Sequence, residues 1–178
     1  RKIIDAIQPR PDDLFIEIGP GRGAITRPLA KTVKRLDAIE IDRGLAAMLE
    51  NQDWHGNVTV HCADALYFAF EKMVQPGEKL RLAGNLPYNI SSPLLFHLLD
   101  SKHLFKDIHV MLQKEVVDRI TAPPGTRTYG RLTVALAARC KAENLFDIHP
   151  GSFTPPPRVE SSFLRLTPLQ NPKVSAVL

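Results

Sequence analysis

The 178 residues include only two cysteines, Cys62 and Cys140, with no CxxC spacing and no cluster of histidines beside them. Neither a disulfide framework nor a zinc site is encoded, and both thiols are expected to serve as small buried apolar groups. No apolar run approaches the roughly 20 residues needed to cross a bilayer. The opening Arg1-Lys2-Ile3-Ile4-Asp5 also lacks the hydrophobic stretch of a secretion signal. A soluble, cytoplasmic protein without metal or membrane partner is therefore expected. Internal repeats and low-complexity tracts are absent too, which excludes solenoids and linkers. A hydrophobic content of 44% against 24% charged residues excludes disorder and fits one compact domain.

A strong charge of one sign is also missing: the net charge is only +4. Its distribution is uneven, because residues 1–89 balance twelve basic against twelve acidic side chains while residues 90–178 carry eleven against seven. A face that meets a polyanion is thus expected from the second half, and Arg127, Arg131, Arg139, Lys141 and Arg158 are its candidate phosphate contacts.

What is present is an alternation of short β-rich runs with amphipathic segments, the pattern of βαβ units and a mostly parallel sheet with helices on both faces. Strands are predicted over 14–18, 36–41, 57–62, 79–84, 107–112, 142–148 and 162–166, and helices over 24–33, 114–121 and 132–138. Asp42 is expected to cap a helix carrying Leu45, Met48 and Leu49 on one face. Ser91-Ser92-Pro93 is expected to open another, with Leu94, Leu95, Leu98 and Leu99 facing inward. Residues 123–130 have the composition of a mobile surface loop.

Three strand ends carry ligand chemistry. Glu17-Ile18-Gly19-Pro20-Gly21-Arg22-Gly23-Ala24 lies between a strand and a helix, where glycines let a ligand approach the backbone. Glu40 follows Gly19 by 21 positions at the end of the next strand, with Ile41 beside it, and can accept both hydroxyls of a ribose. Asp64, with Ala65, closes the third strand and can accept from the exocyclic amine of a bound adenine, although a turn-forming aspartate explains it nearly as well. Together these ends describe an adenosyl pocket, which suits NAD as well as S-adenosyl-L-methionine.

Asn85-Leu86-Pro87-Tyr88 after the fourth strand separates those two. The amine of adenine is a poor nucleophile because its lone pair is delocalised into the ring. The Asn85 amide oxygen and a backbone carbonyl held by Pro87 can each accept one amine hydrogen, favouring a pyramidal nitrogen, while Tyr88 stacks on the base. A hydride-transfer constellation is not evident, so an NAD-linked oxidoreductase leaves this string unexplained.

The stretches IEIGPGRGAIT, AIEID, CADAL, GNLPYNIS, LQKEV and FTPPPRVESS resemble the ribosomal RNA adenine N6,N6-dimethyltransferases, most closely the KsgA-type branch that acts on the small subunit. The resemblance implies the class I S-adenosylmethionine-dependent methyltransferase fold, a Rossmann-like α/β domain, and S-adenosyl-L-methionine as methyl donor. It places cofactor contacts on Gly19, Glu40, Asp64 and Asn85, with Gly21 and Ala65 nearby, and completes the candidate set with Glu17, Gly23 and Ile41. The target-base site falls on Asn85, Leu86, Pro87 and Tyr88, with Phe153 on the other face of the adenine.

The implied activity is dimethylation of two adjacent adenosines near the 3′ end of 16S rRNA, a late step of small-subunit assembly, by a monomer. Family members carry an extra N-terminal segment and a C-terminal helical RNA-binding domain, so residues 1–178 are expected to form a catalytic core truncated at both ends. The related large-subunit enzymes of macrolide resistance share the motif pattern, and a non-catalytic assembly factor is the third reading.

Overall fold

The computed structural model describes residues 1–54, 56–152 and 159–169. A single seven-stranded sheet runs through it: β1 (Leu14–Ile18), β2 (Arg35–Glu40), β3 (Val58–Cys62), β4 (Leu80–Asn85), β5 (Phe105–Gln113), β6 (Cys140–Ile148) and β7 (Ser161–Pro168). Their spatial order is β3-β2-β1-β4-β5-β7-β6. The first five strands are mutually parallel, and β7 enters antiparallel between β5 and β6. The order reverses between β1 and β4, and ligands of doubly wound sheets bind at the carboxyl ends of such a pair. Ile18 there lies beside Gly84.

Burial on both sides explains why β1 reads Leu-Phe-Ile-Glu-Ile without a polar face. Ile16 and Ile18 point into one core with Leu82, Val110 and Leu164, together with the leucines of α4 (Ser91–Asp100), Val117 and Ile120 of α5 (Lys114–Ile120), and Leu136 of α6 (Arg131–Ala137). Phe15 points to the other core, where Leu36 and Phe163 meet Ile7 of α1 (Lys2–Ile7), Leu29 of α2 (Thr26–Ala30) and Leu49 of α3 (Arg43–Glu50). Three helices thus cover each face, as expected from the alternation.

The departures are local. The helix expected over 24–33 is reduced to Thr26–Ala30, because Gly21 and Gly23 hold positive φ and Pro20 O accepts from Gly23 N in a turn that delays its start. The second strand stops at Glu40, and Ile41 stands 63% exposed beyond it. Helix α4 has no side-chain cap; Ser91 is its first residue, and its hydroxyl donates to the Tyr88 carbonyl at 3.1 Å. Asp42 caps α3 as expected, accepting from Leu45 N at 2.9 Å.

Cys62 is exposed, contrary to expectation, because β3 is an edge strand with one unpaired side. Cys140 is buried, its Sγ lies 3.3 Å from Leu136 O, and burial pushes its thiol pKa up to about 12. No helix among the described residues is long and apolar enough to cross a membrane, and no group of three or more His, Cys, Asp or Glu side chains among them could hold a metal.

Candidate active site

The glycine turn reaches the end of β4 because Gly19 has no side chain. Its φ is +65°, and a Cβ there would lie 2.9 Å from the Asn85 carbonyl oxygen, closer than real Cβ contacts allow. The turn therefore closes against the first residue of the Asn-Leu-Pro-Tyr string. Gly21, at φ +57°, faces open space, which leaves its backbone approachable. Gly23 does something else: a Cβ there would meet Leu49 and Trp54 at 3.2 and 3.3 Å, so this glycine packs the turn onto α3 and the loop after it.

Glu40 fixes the turn from the neighbouring strand. One carboxylate oxygen accepts from Gly21 N at 3.1 Å and the other from Asp42 N at 3.0 Å. Two further lone-pair positions remain on those oxygens for a ribose. Asp64 Oδ1 accepts from Leu66 N at 2.9 Å and caps the short 3-10 turn Ala65–Tyr67, so the turn-forming reading of this aspartate is observed, and this bond does not use Oδ2. Ala63 N donates to Glu40 O, which holds the Asp64 corner beside Glu40. Ile41, the residue after Glu40, is an exposed apolar side chain.

Glu17 sits two residues before Gly19 and is fully buried. Burial raises its carboxyl pKa to about 7; the hydroxyl and amide of Thr26 pull it down and the charge of Glu40 pushes it up. Neither Glu17 Oε2 nor Thr26 Oγ1 completes a hydrogen bond of normal geometry, so an acceptor and a hydroxyl stand unsatisfied beneath the turn.

In the string itself the roles divide. Asn85 is exposed at the end of β4, Pro87 is exposed, and Tyr88 is half-buried. The Leu86 side chain lies in the core, so what it can offer a substrate is its carbonyl. Its N–H donates to Met111 O at 3.3 Å and ties the turn to β5. The Pro87 and Tyr88 carbonyls are taken by Ile90 N and Ser91 Oγ. Asn85 is thus exposed at this turn, and the adjacent Leu86 carbonyl, in a residue only 1% exposed, has no donor of its own among the described residues.

The basic candidates do not gather. Thr128, next to Arg127, lines a cleft of about 410 Å³ with Gln113, Lys114 and Glu160 at the carboxyl edge of β5, and Arg131 opens α6 shortly after. Arg127 and Arg131 are exposed and pair with no described residue. Arg139 and Lys141 flank Cys140, which faces Pro168 at the opposite edge of the sheet. Arg139 is also engaged with Asp100 at 4.0 Å and stacks on Phe96, and Lys141 pairs with Glu143 at 3.1 Å. The candidates Phe153 and Arg158 lie outside the described residues.

A glycine turn under an acid-tipped second strand, in a sheet of this order, defines the class I methyltransferase fold. Solved structures agree: a dimethyladenosine transferase from Plasmodium falciparum superposes with a TM-score of 0.84 at 33% identity over 95% of this chain and 60% of its own. The 23S rRNA methyltransferase ErmE gives 0.82 at 29% identity over 97% of this chain and 68% of its own. Residues 1–177 match the family model for ribosomal RNA adenine dimethylase, and the chain belongs to that family. Ribosomal RNA small subunit methyltransferase A of Cupriavidus necator is 48% identical over 166 residues, 93% of this chain. The chain spans 59% of the length of that relative.

Proposed function

We propose that this chain is the catalytic core of an S-adenosyl-L-methionine-dependent RNA methyltransferase that dimethylates N6 of two adjacent adenosines near the 3′ end of 16S rRNA during small-subunit assembly. The contact of Gly19 with the Asn85 carbonyl carries the reading, because it sets the cofactor turn directly beside the two amine acceptors. A cytoplasmic setting follows from that substrate.

The residues present fit the donor. Gly21 leaves open space where a ligand backbone passes, Glu40 retains acceptor capacity for ribose hydroxyls, and Asp64 Oδ2 and Ile41 stand ready for an adenine. The orphaned Glu17 Oε2 is an acceptor that a cationic ammonium would satisfy. Bound there, S-adenosyl-L-methionine supplies an electrophilic methyl group on a sulfonium.

Asn85 Oδ1 and Leu86 O then each accept one hydrogen of the target amine, which draws its lone pair out of conjugation and aims it at the methyl group. Release of the amine proton would need no strong base from these residues, because methylation would make the nitrogen acidic. Tyr88 offers a ring face on which an extruded base can stack. Phe153 is assigned to the other face by the family pattern alone.

Identity of 48% to a small-subunit methyltransferase, against 29% to ErmE, favours the small subunit over the large. Unmethylated small and large subunits offered together with labelled S-adenosyl-L-methionine test this choice. Label in the 16S rRNA alone is expected; label in the 23S rRNA would overturn it, and excess NAD should leave the transfer unchanged.

A further inference from the structure

Tyr88 is held at its backbone and at the tip of its ring. Its backbone carbonyl accepts from Ser91 Oγ at 3.1 Å, and its hydroxyl lies 2.7 Å from Ser161 Oγ, where either group can donate. Ser161 is the first residue of β7 and is completely buried. It is paired on one side with Gln113 of β5 and on the other with Ile148 of β6, and the preceding Glu160 carbonyl accepts from Lys114 N at 2.9 Å. A serine fixed between two strands cannot follow a moving loop. The Tyr88 hydroxyl is therefore tied to a point on the sheet interior, although the turn that carries it leaves the sheet at Asn85.

A stacking residue without such a tie would keep its contact area but not its plane. Rotation of the phenol about its side-chain bonds would tilt any base stacked on it and carry the amine away from Asn85 Oδ1 and Leu86 O. Catalysis by orientation is sensitive to shifts of about 1 Å. We infer that Ser161 is a positioning residue for methyl transfer, setting the plane of Tyr88, and hence of the target adenine, through the hydroxyl–hydroxyl hydrogen bond. The inference rests on the proposed adenine N6 chemistry at this turn. It adds that the antiparallel strand β7, absent from the donor pocket, takes part in holding the acceptor base.

The test is a double-mutant cycle in the full-length protein with Ser161→Ala, Tyr88→Phe and their combination, plus Ser161→Thr as the conservative rescue. Transfer to unmethylated small subunits, equilibrium binding of S-adenosyl-L-methionine, and quenching of a 2-aminopurine placed at the target position are read for each. Ser161→Ala and Tyr88→Phe are each expected to lower kcat about fivefold, the scale of one ordinary hydrogen bond. The double variant should lose no more than either single one, because all three remove the same bond. Donor affinity should not move, and Ser161→Thr should recover most of the rate.

Multiplicative losses in the double variant, or wild-type kcat and quenching in Ser161→Ala, would overturn the role of Ser161. A fall in donor affinity equal to the loss of rate would do so as well, marking a general structural defect. A wild-type protein that quenches the 2-aminopurine but transfers no methyl group to N6 would instead overturn the methyl-transfer reading. In that case the quenching cycle still decides whether Ser161 orients the base.

Discussion

Glu17 shows how a single buried side chain links stability to ligand chemistry. In the unfolded chain it ionises near its ordinary pKa of 4.5, whereas burial holds it neutral in the folded chain up to about 7. Its contribution to folding is fully present below pH 4.5 and is lost as pH rises through 7, since the unfolded state then sheds a proton that the folded state retains. Glu17→Gln should therefore stabilise the fold at pH 8 relative to pH 4, by an amount whose upper bound is about 3 kcal/mol. Denaturant titrations at the two pH values check this, and equal effects at both would contradict it. On the proposed donor chemistry, an ionised Glu17 is the partner of the cofactor's ammonium. Affinity for S-adenosyl-L-methionine should rise between pH 6 and 8 in the wild type and stay flat in Glu17→Gln, as measured by calorimetry.

At the scale of elements, the glycine turn and the end of β4 form one construction. Gly19 and Gly21 both hold left-handed φ, a strain of roughly 1–2 kcal/mol for an alanine. Only at Gly19 does the added methyl collide, at 2.9 Å from the Asn85 carbonyl, while at Gly21 it meets nothing. Gly19→Ala should thus lower the thermal midpoint more than Gly21→Ala, and equal shifts would mean that the turn does not bear on β4. The glycines, the acid 21 positions on and the Asn-Leu-Pro-Tyr string were all legible, because each is a local pattern at a strand end.

Other features were not legible, because they depend on contacts between residues far apart in the chain. The Tyr88–Ser161 hydrogen bond joins positions 73 apart, and no period or spacing announces it. No pattern in the sequence sets Arg81 apart from other charged residues. Its guanidinium is in fact buried between Asp13 at 2.6 Å and Asp107 at 2.8 Å, and it also donates to the Ile7 and Gln8 carbonyls at the end of α1. Edge and centre strands cannot be told apart from composition alone, which is why Cys62 was expected inside and stands outside. The shortening of α2 has the same kind of cause, since an apolar period does not show where a turn lets go.

At the scale of the molecule, the basic surplus of the second half divides between the two edges of the sheet. Arg127 neighbours Thr128 of the cleft beside Gln113 and Arg131 opens α6 shortly after, whereas Arg139 and Lys141 are at the far side with partners of their own. Arg127→Gln with Arg131→Gln should weaken binding to the 16S hairpin and reduce the salt slope by about one per lost phosphate contact. Arg139→Gln with Lys141→Gln should leave both unchanged; the reverse pattern, read by filter binding across a salt series, would move the RNA to the other edge.

The measurement that bears most directly on the whole is nucleoside analysis of unmethylated small subunits after incubation with the protein and labelled S-adenosyl-L-methionine, with Asn85→Ala run alongside. Label in N6,N6-dimethyladenosine is expected for the wild type, with a loss of about 10²–10³-fold in the variant, the scale for removing one preorganised group at a reacting centre. Label in any other nucleoside, or undiminished transfer by Asn85→Ala, would contradict the assignment of the Asn-Leu-Pro-Tyr turn as the site where the adenine amine reacts.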